Sequence, residues 1–124
     1  MGWAPPLEWS VEPPGVVSTF RPGPGDAGRP GFLHGGLAAT LLDETMAALS
    51  WATDREHSVT ATLSLRYRCP VPLDAGPLRM EAWYHDGRAG RVRKVQGRLL
   101  LPDGTPAVEA SGLFVRVAAE SGDD

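Results

Sequence analysis

The stretch from Gly35 to about Ala52 constrains the fold more than any other part of this 124-residue chain. It is rich in leucine and alanine, it contains no proline, and its two glycines both lie at the front. A run of this length and texture predicts an α-helix. Because apolar residues fall on nearly every face, we expect other structure to surround the helix. Its length and its central acidic pair, Asp43-Glu44, argue against a membrane span.

The segments on either side differ in character. The first third of the chain is dense in proline and glycine, which permits only short extended pieces, the best of them Val16 to Arg21. Beyond residue 56, apolar and polar residues alternate from Val59 to Tyr67, which predicts a half-buried strand. Three more strands, each bounded by turn residues, are expected at Leu78 to His85, Val92 to Leu101 and Ala107 to Val117.

This order predicts an α+β fold. Tight links between the last four strands favour an antiparallel meander, and the compact way to hide an apolar helix with such strands is to curl the sheet around it. We therefore expect a hotdog fold, in which one long central helix is wrapped by a curved antiparallel sheet of five to six strands. A single domain is expected over residues 1–124, with 1–14 and 118–124 peripheral or flexible.

Composition narrows the classes of function. A net charge of -3 argues against nucleic acid or an anionic membrane as a partner. The lone Cys69 cannot form an internal disulfide, and the N-terminus lacks the basic start and apolar stretch of a signal peptide, so a cytoplasmic location is expected. His57, His85 and Cys69 have no partners at metal-ligand spacing, so no metal is predicted.

Asp43 does not suit a helix designed only for packing. It lies in the middle of the apolar run, and burial of an unpaired ionised carboxylate costs several kcal/mol. Asp is also a poor interior helix former. Two interpretations stay open on this pattern: a functional carboxylate, or a structural one that faces solvent or has a partner. Glu44, about 100° further round the helix, is the natural candidate for the solvent side.

The start of the helix offers a second candidate site. Gly35 and Gly36 follow His34 there, and the N–H groups of a first helical turn have no internal partners. Glycine lets a ligand approach these amides, which can hold a developing oxyanion, although a flexible helix start without a ligand explains the same residues. Gly35 and Asp43 are eight residues apart, about 12 Å along a helix. One substrate carbonyl would touch both only across a two-fold interface, so we expect a dimer or an assembly of dimers.

These residues resemble a known signature. Gly31-Phe32-Leu33-His34-Gly35-Gly36, six further residues and then Asp43-Glu44 are similar to the His-Gly-Gly…Asp motif of hotdog-fold acyl-CoA thioesterases. The resemblance is to the phenylacetic-acid-pathway subgroup and to human thioesterase-superfamily members 2, 4 and 5. Residues 60–72 resemble the strand of these proteins that ends in Tyr-x-x-Pro-x-Pro, and residues 109–115 resemble their final strand. The resemblance covers roughly residues 15 to 117.

The resemblance implies an activity and the roles of single residues. The activity is hydrolysis of an acyl-coenzyme A, with coenzyme A as part of the substrate and no other cofactor. The Gly35 N–H would polarise the thioester carbonyl, and His34 and Gly36 would shape that turn, with Gly36 as part of the substrate-binding surface. Asp43 of the other subunit would act as nucleophile or as general base for water. Thr60 would orient the attacking water.

Two positions depart from the family pattern. Many members carry an Asn six residues before the His, as a second contact to the carbonyl or the water, whereas this chain has Gly28 there. Thr60 has the opposite strand parity to Leu63, so strict alternation points it away from the apolar face. A β-bulge, or its place at the strand start, would reconcile the two.

A basic cluster lies in and after the loop near residue 88. Arg91, Arg93 and Lys94, with Arg88, are candidates for binding the phosphates of coenzyme A, since Arg suits bidentate contacts. A solvated sheet edge explains the same charges.

Two other functions stay open beside thioester hydrolysis. One is a hotdog 3-hydroxyacyl dehydratase or hydratase, against which the Gly-Gly pair after His34 argues. The other is a non-catalytic acyl-binding hotdog domain. Retention of Asp43 with Gly35 argues against that function, and Gly28 mildly favours it.

Overall fold

The computed structural model describes residues 7–85 and 90–117. The helix α1 covers Gly35–Asp54, and a 3₁₀ turn covers Pro24–Asp26. The strands are β1 (Trp9–Glu12), β2 (Gly15–Phe20), β3 (His57–Tyr67), β4 (Leu78–Tyr84), β5 (Val92–Leu100) and β6 (Pro106–Val117). The predicted helix and the five predicted strands are confirmed with ends that differ by no more than two residues. The expectations for Arg88 and for the tail at 118–124 concern residues outside the described range.

The six strands form one antiparallel sheet in the order β1-β2-β4-β5-β6-β3. One helix packed against such a sheet confirms the expected hotdog fold. The expected meander of the last four strands is wrong in one step, because β3 pairs with β6 at the far edge rather than with β4. The link from Tyr67 to Leu78 is long enough to cross the strands between them.

One side of α1 supplies the centre of the core. The helix contacts all six strands, and it packs against inward side chains such as Met80, Val95 and Leu99. Gly97 of β5 makes room for it, since a Cβ at that position would come within 2.9 Å of the Met46 sulfur. The buried helix residues are Ala38, Leu41, Leu42, Thr45, Met46, Leu49 and Ser50.

The other side of α1 is not covered within one chain. Glu44 is exposed, as predicted, and Trp51 is exposed as well. Leu37 and Ala47 are only partly buried. The expectation that other structure surrounds the helix on every face is therefore wrong for a single chain. The apolar residues of this helix exceed what one sheet can cover.

The strand β3 forms an edge of the sheet, since β6 is its one partner among the described strands. It is 11 residues long and mostly exposed, with Val59 and Tyr67 each 53% accessible. The half-buried strand predicted from alternation is thus wrong for the isolated chain. A long edge with apolar side chains outside is a surface on which another strand can pair.

The strand β1 lies in the proline-rich segment, where no strand is predicted before Val16. It pairs with β2, with Trp9 opposite Ser18 and Glu12 opposite Gly15. Its residues, Trp9 to Glu12, do alternate between apolar and polar, but the run is only four residues long, it lies among prolines, and all four residues are exposed. Within the segment 1–14, expected to be peripheral or flexible, residues 9–12 form the other edge strand of the sheet.

Gly112 of β6 sets how closely β3 approaches its neighbour. A Cβ there would lie 2.6 Å from the Thr62 carbonyl oxygen and 3.2 Å from the Phe114 ring. We expect Gly112→Ala to lower the free energy of unfolding by about 1–3 kcal/mol, because it overpacks a filled site. Urea denaturation measures the change.

Gly25→Ala is the matched control, because nothing lies within 4 Å of its Cβ position. It should change the free energy of unfolding by less than about 0.5 kcal/mol. Equal stabilities of the two variants would contradict the packing argument.

Candidate active site

The helix begins with a side-chain cap. His34 is the N-cap residue, and its Nδ1 accepts a hydrogen bond of 2.8 Å from the Gly36 N–H. A Cβ at Gly36 would come within 2.9 Å of the His34 ring, so a larger residue there would displace the capping ring. The contact supports the predicted turn-shaping role of both residues. Direct substrate binding by the Gly36 amide gains no support from it, since that amide already has an acceptor.

Gly35 presents a free amide next to this cap. Among the described residues, no acceptor is hydrogen-bonded to the Gly35 N–H. Its carbonyl accepts a hydrogen bond of 2.7 Å from the Tyr67 hydroxyl, and the Tyr67 ring lies 3.7 Å from where a Cβ would be. Tyr67 therefore ties the helix start to the end of β3. The free amide, at the positive end of the helix dipole, is suited to an anionic or carbonyl oxygen.

Asp43 and Thr60, two of the residues predicted as catalytic, lie in contact. The Thr60 hydroxyl donates a hydrogen bond of 2.7 Å to Asp43 Oδ1. Asp43 is partly buried on the flank of α1, and its Oδ2 has no hydrogen-bond partner among the described residues. The carboxylate is thus oriented on one side and open on the other. Asp43 is therefore not an unpaired buried charge. The desolvation free energy that makes an Asp unexpected in this apolar helix is largely avoided.

A β-bulge in β3 explains how Thr60 reaches the helix. Thr60 lies opposite Phe114 and Thr62 opposite Leu113, which leaves Ala61 as an extra residue in the ladder. Phe114 faces the core with 2% of its surface exposed, whereas Leu113 faces outward with 38% exposed. The extra residue reverses the alternation of β3 and turns Thr60 to the helix side. The conflict of parity in the sequence is resolved by this bulge.

Gly35 and Asp43 do not meet within one chain. They lie eight residues apart on one unbroken helix, about 12 Å along its axis. A cavity of about 540 Å³ beside Gly35 has His34, Phe32 and Val71 in its lining but not Asp43. Each chain therefore holds two separate parts of a potential site.

The backbone around Gly28 leaves little room for the Asn that many family members carry at this position. The Gly28 N–H donates a hydrogen bond of 3.0 Å to the Phe32 carbonyl, which closes a tight hairpin in front of the helix. A Cβ at Gly28 would come within 3.0 Å of His34 Cα. The hairpin folds back so closely that a side chain at residue 28 would force His34 to move.

Arg93, one of the predicted phosphate ligands, is buried. Only 8% of it is exposed, and its guanidinium lies 3.6 Å from the Tyr84 ring centre and 3.8 Å from Asp54. Arg116 shares Asp54 at 2.7 Å. Arg93 therefore belongs to the packing that holds the end of α1 to the sheet, and the phosphate role predicted for it finds no support in this placement.

Arg91 and Lys94 are exposed. In the strand register, Lys94 lies opposite Leu113, on the outward face of the sheet. Both basic residues lie at the end of β5 that is level with Thr60, whereas Gly35 contacts Tyr67 near the opposite end of β3. The phosphate-binding role of Arg91 and Lys94 stays a prediction. The same role for Arg88 also stays a prediction, since Arg88 lies outside the described range.

Metal-binding side chains do not group in this chain. Over residues 7–85 and 90–117, no three His, Cys, Asp or Glu side chains lie together as a metal site requires. Within the same two ranges, no helix has the length and apolar character needed to cross a membrane.

Comparison with known proteins finds thioesterases. A family model described as thioesterase superfamily matches residues 30–85. Acyl-coenzyme A thioesterase THEM4 of Xenopus laevis is 30% identical over 110 residues, which is 82% of this chain and 45% of that protein. Acyl-coenzyme A thioesterase THEM5 of Mus musculus is 37% identical over 57 residues, 46% of this chain and 23% of that protein. The chain thus spans less than half the length of these relatives.

Solved structures agree in fold. The crystal structure of protein RHA08564, a thioesterase superfamily protein, superposes with a TM-score of 0.77 at 32% identity, covering 89% of this chain and 56% of the other. The protein smu.793 of Streptococcus mutans, solved bound to acetyl CoA, has a TM-score of 0.79 at 22% identity, with 91% and 90% of the two chains covered. The second likeness shows the fold alone.

The placement of Arg93 predicts a structural effect of its removal. Arg93→Ala should lower the free energy of unfolding by about 1–3 kcal/mol, because it deletes a desolvated cation–π contact and leaves a gap at the end of α1. Lys94→Ala, one residue away and exposed, should stay within about 0.5 kcal/mol. Thermal or urea unfolding of both variants measures the change. If Arg93→Ala left the free energy of unfolding unchanged, Arg93 would again be a candidate for phosphate binding.

Proposed function

Because this chain belongs to the thioesterase superfamily, we propose that it hydrolyses an acyl-coenzyme A thioester to a free acid and coenzyme A. The activity named for THEM4 and THEM5 supports this substrate class. The observation that carries the proposal is the hydrogen bond from Thr60 to Asp43. It orients a carboxylate on the helix and leaves the second carboxylate oxygen without a partner among the described residues. A free Gly35 amide on the same helix supplies the matching carbonyl site.

In the proposed reaction, the Gly35 N–H binds the thioester carbonyl oxygen and stabilises the negative charge that develops there. Asp43 takes a proton from a water molecule, and the water oxygen attacks the carbonyl carbon. The carbon–sulfur bond then breaks, and the leaving thiolate of coenzyme A takes up the proton that Asp43 has accepted from the water. Thr60 holds Asp43 Oδ1, so that Oδ2 is the oxygen that acts. Attack by Oδ2 itself on the carbonyl, followed by hydrolysis of the resulting anhydride, is the nucleophilic form of the same proposal.

We propose that two chains build each site. The 12 Å spacing of Gly35 and Asp43 along α1 requires that one carbonyl use the amide of one chain and the carboxylate of its partner. The exposed edge of β3 supports such an assembly, because two copies can pair there antiparallel about a two-fold axis. The uncovered side of α1 offers further apolar surface to bury, in a dimer or in an assembly of dimers. A cytoplasmic location stays a prediction from composition.

Asp43→Asn should lower kcat for acyl-coenzyme A hydrolysis by roughly a hundredfold or more, because the amide cannot take a proton from water. Thr60→Val should cost less, roughly tenfold, since it removes only a charge-assisted hydrogen bond to that carboxylate. Glu44→Gln is the matched control, because Glu44 is the adjacent and exposed acid of the same helix. Release of free thiol from a panel of acyl-coenzyme A substrates measures all three. Full activity of Asp43→Asn would refute the mechanism.

A mixing experiment tests the shared site. Gly35→Pro removes the amide hydrogen with little disturbance, because Gly35 is the first helical residue and His34 before it has the extended ψ of 130° that precedes proline readily. Gly35→Pro and Asp43→Asn should each be inactive alone. Refolded together, they should recover up to about a quarter of the parent activity, since half of the dimers are mixed and each mixed dimer has one intact site. Recovery of nothing, with a monomeric mass by light scattering, would overturn the two-chain site.

A further inference from the structure

The hairpin before the helix carries an arginine that the proposed mechanism does not use. Arg29 is exposed, and among the described residues it has no carboxylate within salt-bridge distance. Among residues 7–85 and 90–117, it is the one acidic or basic side chain, apart from the capping His34, in the lining of the 540 Å³ cavity beside Gly35. An unpaired guanidinium at the wall of a cavity that contains a free helix amide suits an anionic ligand.

The backbone of Arg29 is held in a fixed position. The Phe32 N–H donates to the Arg29 carbonyl at 3.0 Å, and Pro30 and Gly31 occupy the two central positions, with a Gly31 φ of 87°. These are the features of a type II turn. At the base of the hairpin, the His34 N–H donates to the Asp26 carbonyl at 2.9 Å. The backbone of Arg29 is therefore fixed relative to the start of α1.

A second pair of hydrogen bonds joins the hairpin to another segment that lines the cavity. The Leu33 N–H donates to the Val71 carbonyl at 2.9 Å, and the Leu73 N–H donates to the Gly31 carbonyl at 2.8 Å. These bonds dock the hairpin onto the link after β3, so that Phe32, Pro70 and Val71 line the same space. Phe32 keeps 39% of its surface exposed, which gives this space an apolar wall open to solvent.

We infer that this cavity holds the pantetheine arm of coenzyme A and that Arg29 binds the diphosphate at its end; the inference rests on the proposed function. In coenzyme A, the arm lies between the thioester and the diphosphate. Phe32 is three residues from Gly35, a span of at most about 10 Å. Arg29, Phe32 and Gly35 all line the same cavity. A carbonyl on the Gly35 amide thus leaves the arm along the apolar wall and its charged end at the guanidinium.

This assignment makes Arg29 a binding residue, remote from the reacting atoms. Its removal should weaken the binding of substrates that carry the diphosphate and leave the chemical step unchanged. The test uses one acyl group on two carriers, coenzyme A and N-acetylcysteamine, which lacks the diphosphate. Arg29→Ala should raise KM for the coenzyme A ester roughly tenfold or more, with kcat within about twofold. Both constants for the N-acetylcysteamine ester should match those of the parent protein.

Arg21→Ala is the matched control, because Arg21 is also an exposed arginine and lies outside this cavity. It should leave KM for both esters unchanged. The KM of the parent protein for the coenzyme A ester should rise with ionic strength more steeply than that of Arg29→Ala, since one screened contact is missing in the variant.

Three outcomes would overturn the assignment. Equal losses on both carriers would make Arg29 a structural residue of the hairpin. A loss on both carriers that is seen with an acyl group ending in a carboxylate, and not with an uncharged acyl group, would assign the guanidinium to the acyl group. Equal increases in KM for Arg29→Ala and Arg21→Ala would show that the change comes from the overall charge of the protein and not from a contact of Arg29.

Failure of the proposed function is distinguishable from failure of this inference. If the parent protein cleaves neither ester, hydrolysis is refuted, and calorimetric titration with coenzyme A and with pantetheine tests Arg29 alone. Arg29→Ala should then weaken the binding of coenzyme A about tenfold and leave pantetheine unaffected. Equal affinities of the parent and the variant for coenzyme A would overturn the inference by themselves.

Discussion

The packing of one side of α1 against the sheet determines the position of every part of the candidate site. Leu41, Met46 and Leu49 are fully buried, which fixes the rotation of the helix about its axis. With that rotation set, Asp43 must lie on the flank that faces β3 and Glu44 must face solvent. The same helix carries the Gly35 amide at its start, so the distance between amide and carboxylate follows from the rise of the helix and not from loop geometry.

Periodicity in the sequence predicts the elements of this fold well, because each helix and strand has a local pattern. It does not predict the place of β3 in the sheet, because that place depends on a partner distant in the chain. It also does not predict β1, a four-residue strand that pairs with the adjacent β2. Alternation indicates that β3 has two faces, but its location at an edge is decided by pairing with β6. The bulge at Ala61 is likewise invisible in single-residue patterns, since it arises from the mismatch between two strands.

The candidate site was partly predictable for the same reason. A carboxylate in an apolar helix and glycines at its start are local anomalies, and they point to Asp43 and Gly35 directly. The burial of Arg93 is not a local property. An arginine in a strand is expected to be exposed, and Arg93 is buried only because the fold places the Tyr84 ring and the Asp54 carboxylate next to it. The close contact of Gly28 with His34 depends on the fold of a hairpin, and it accounts for a departure from the family that the sequence alone leaves open.

The hydrogen bond between Tyr67 and the Gly35 carbonyl joins the outer edge of the sheet to the first turn of the helix. Tyr67 is half exposed on the strand where a second copy would add. A neighbour that covers this edge would restrict the tyrosine ring and so steady the peptide plane beside the free amide. Subunit association would then have two effects: it would bring the two partial sites together, and it would hold the Gly35 N–H in a more constant orientation. Dissociation into single chains on dilution would remove both effects.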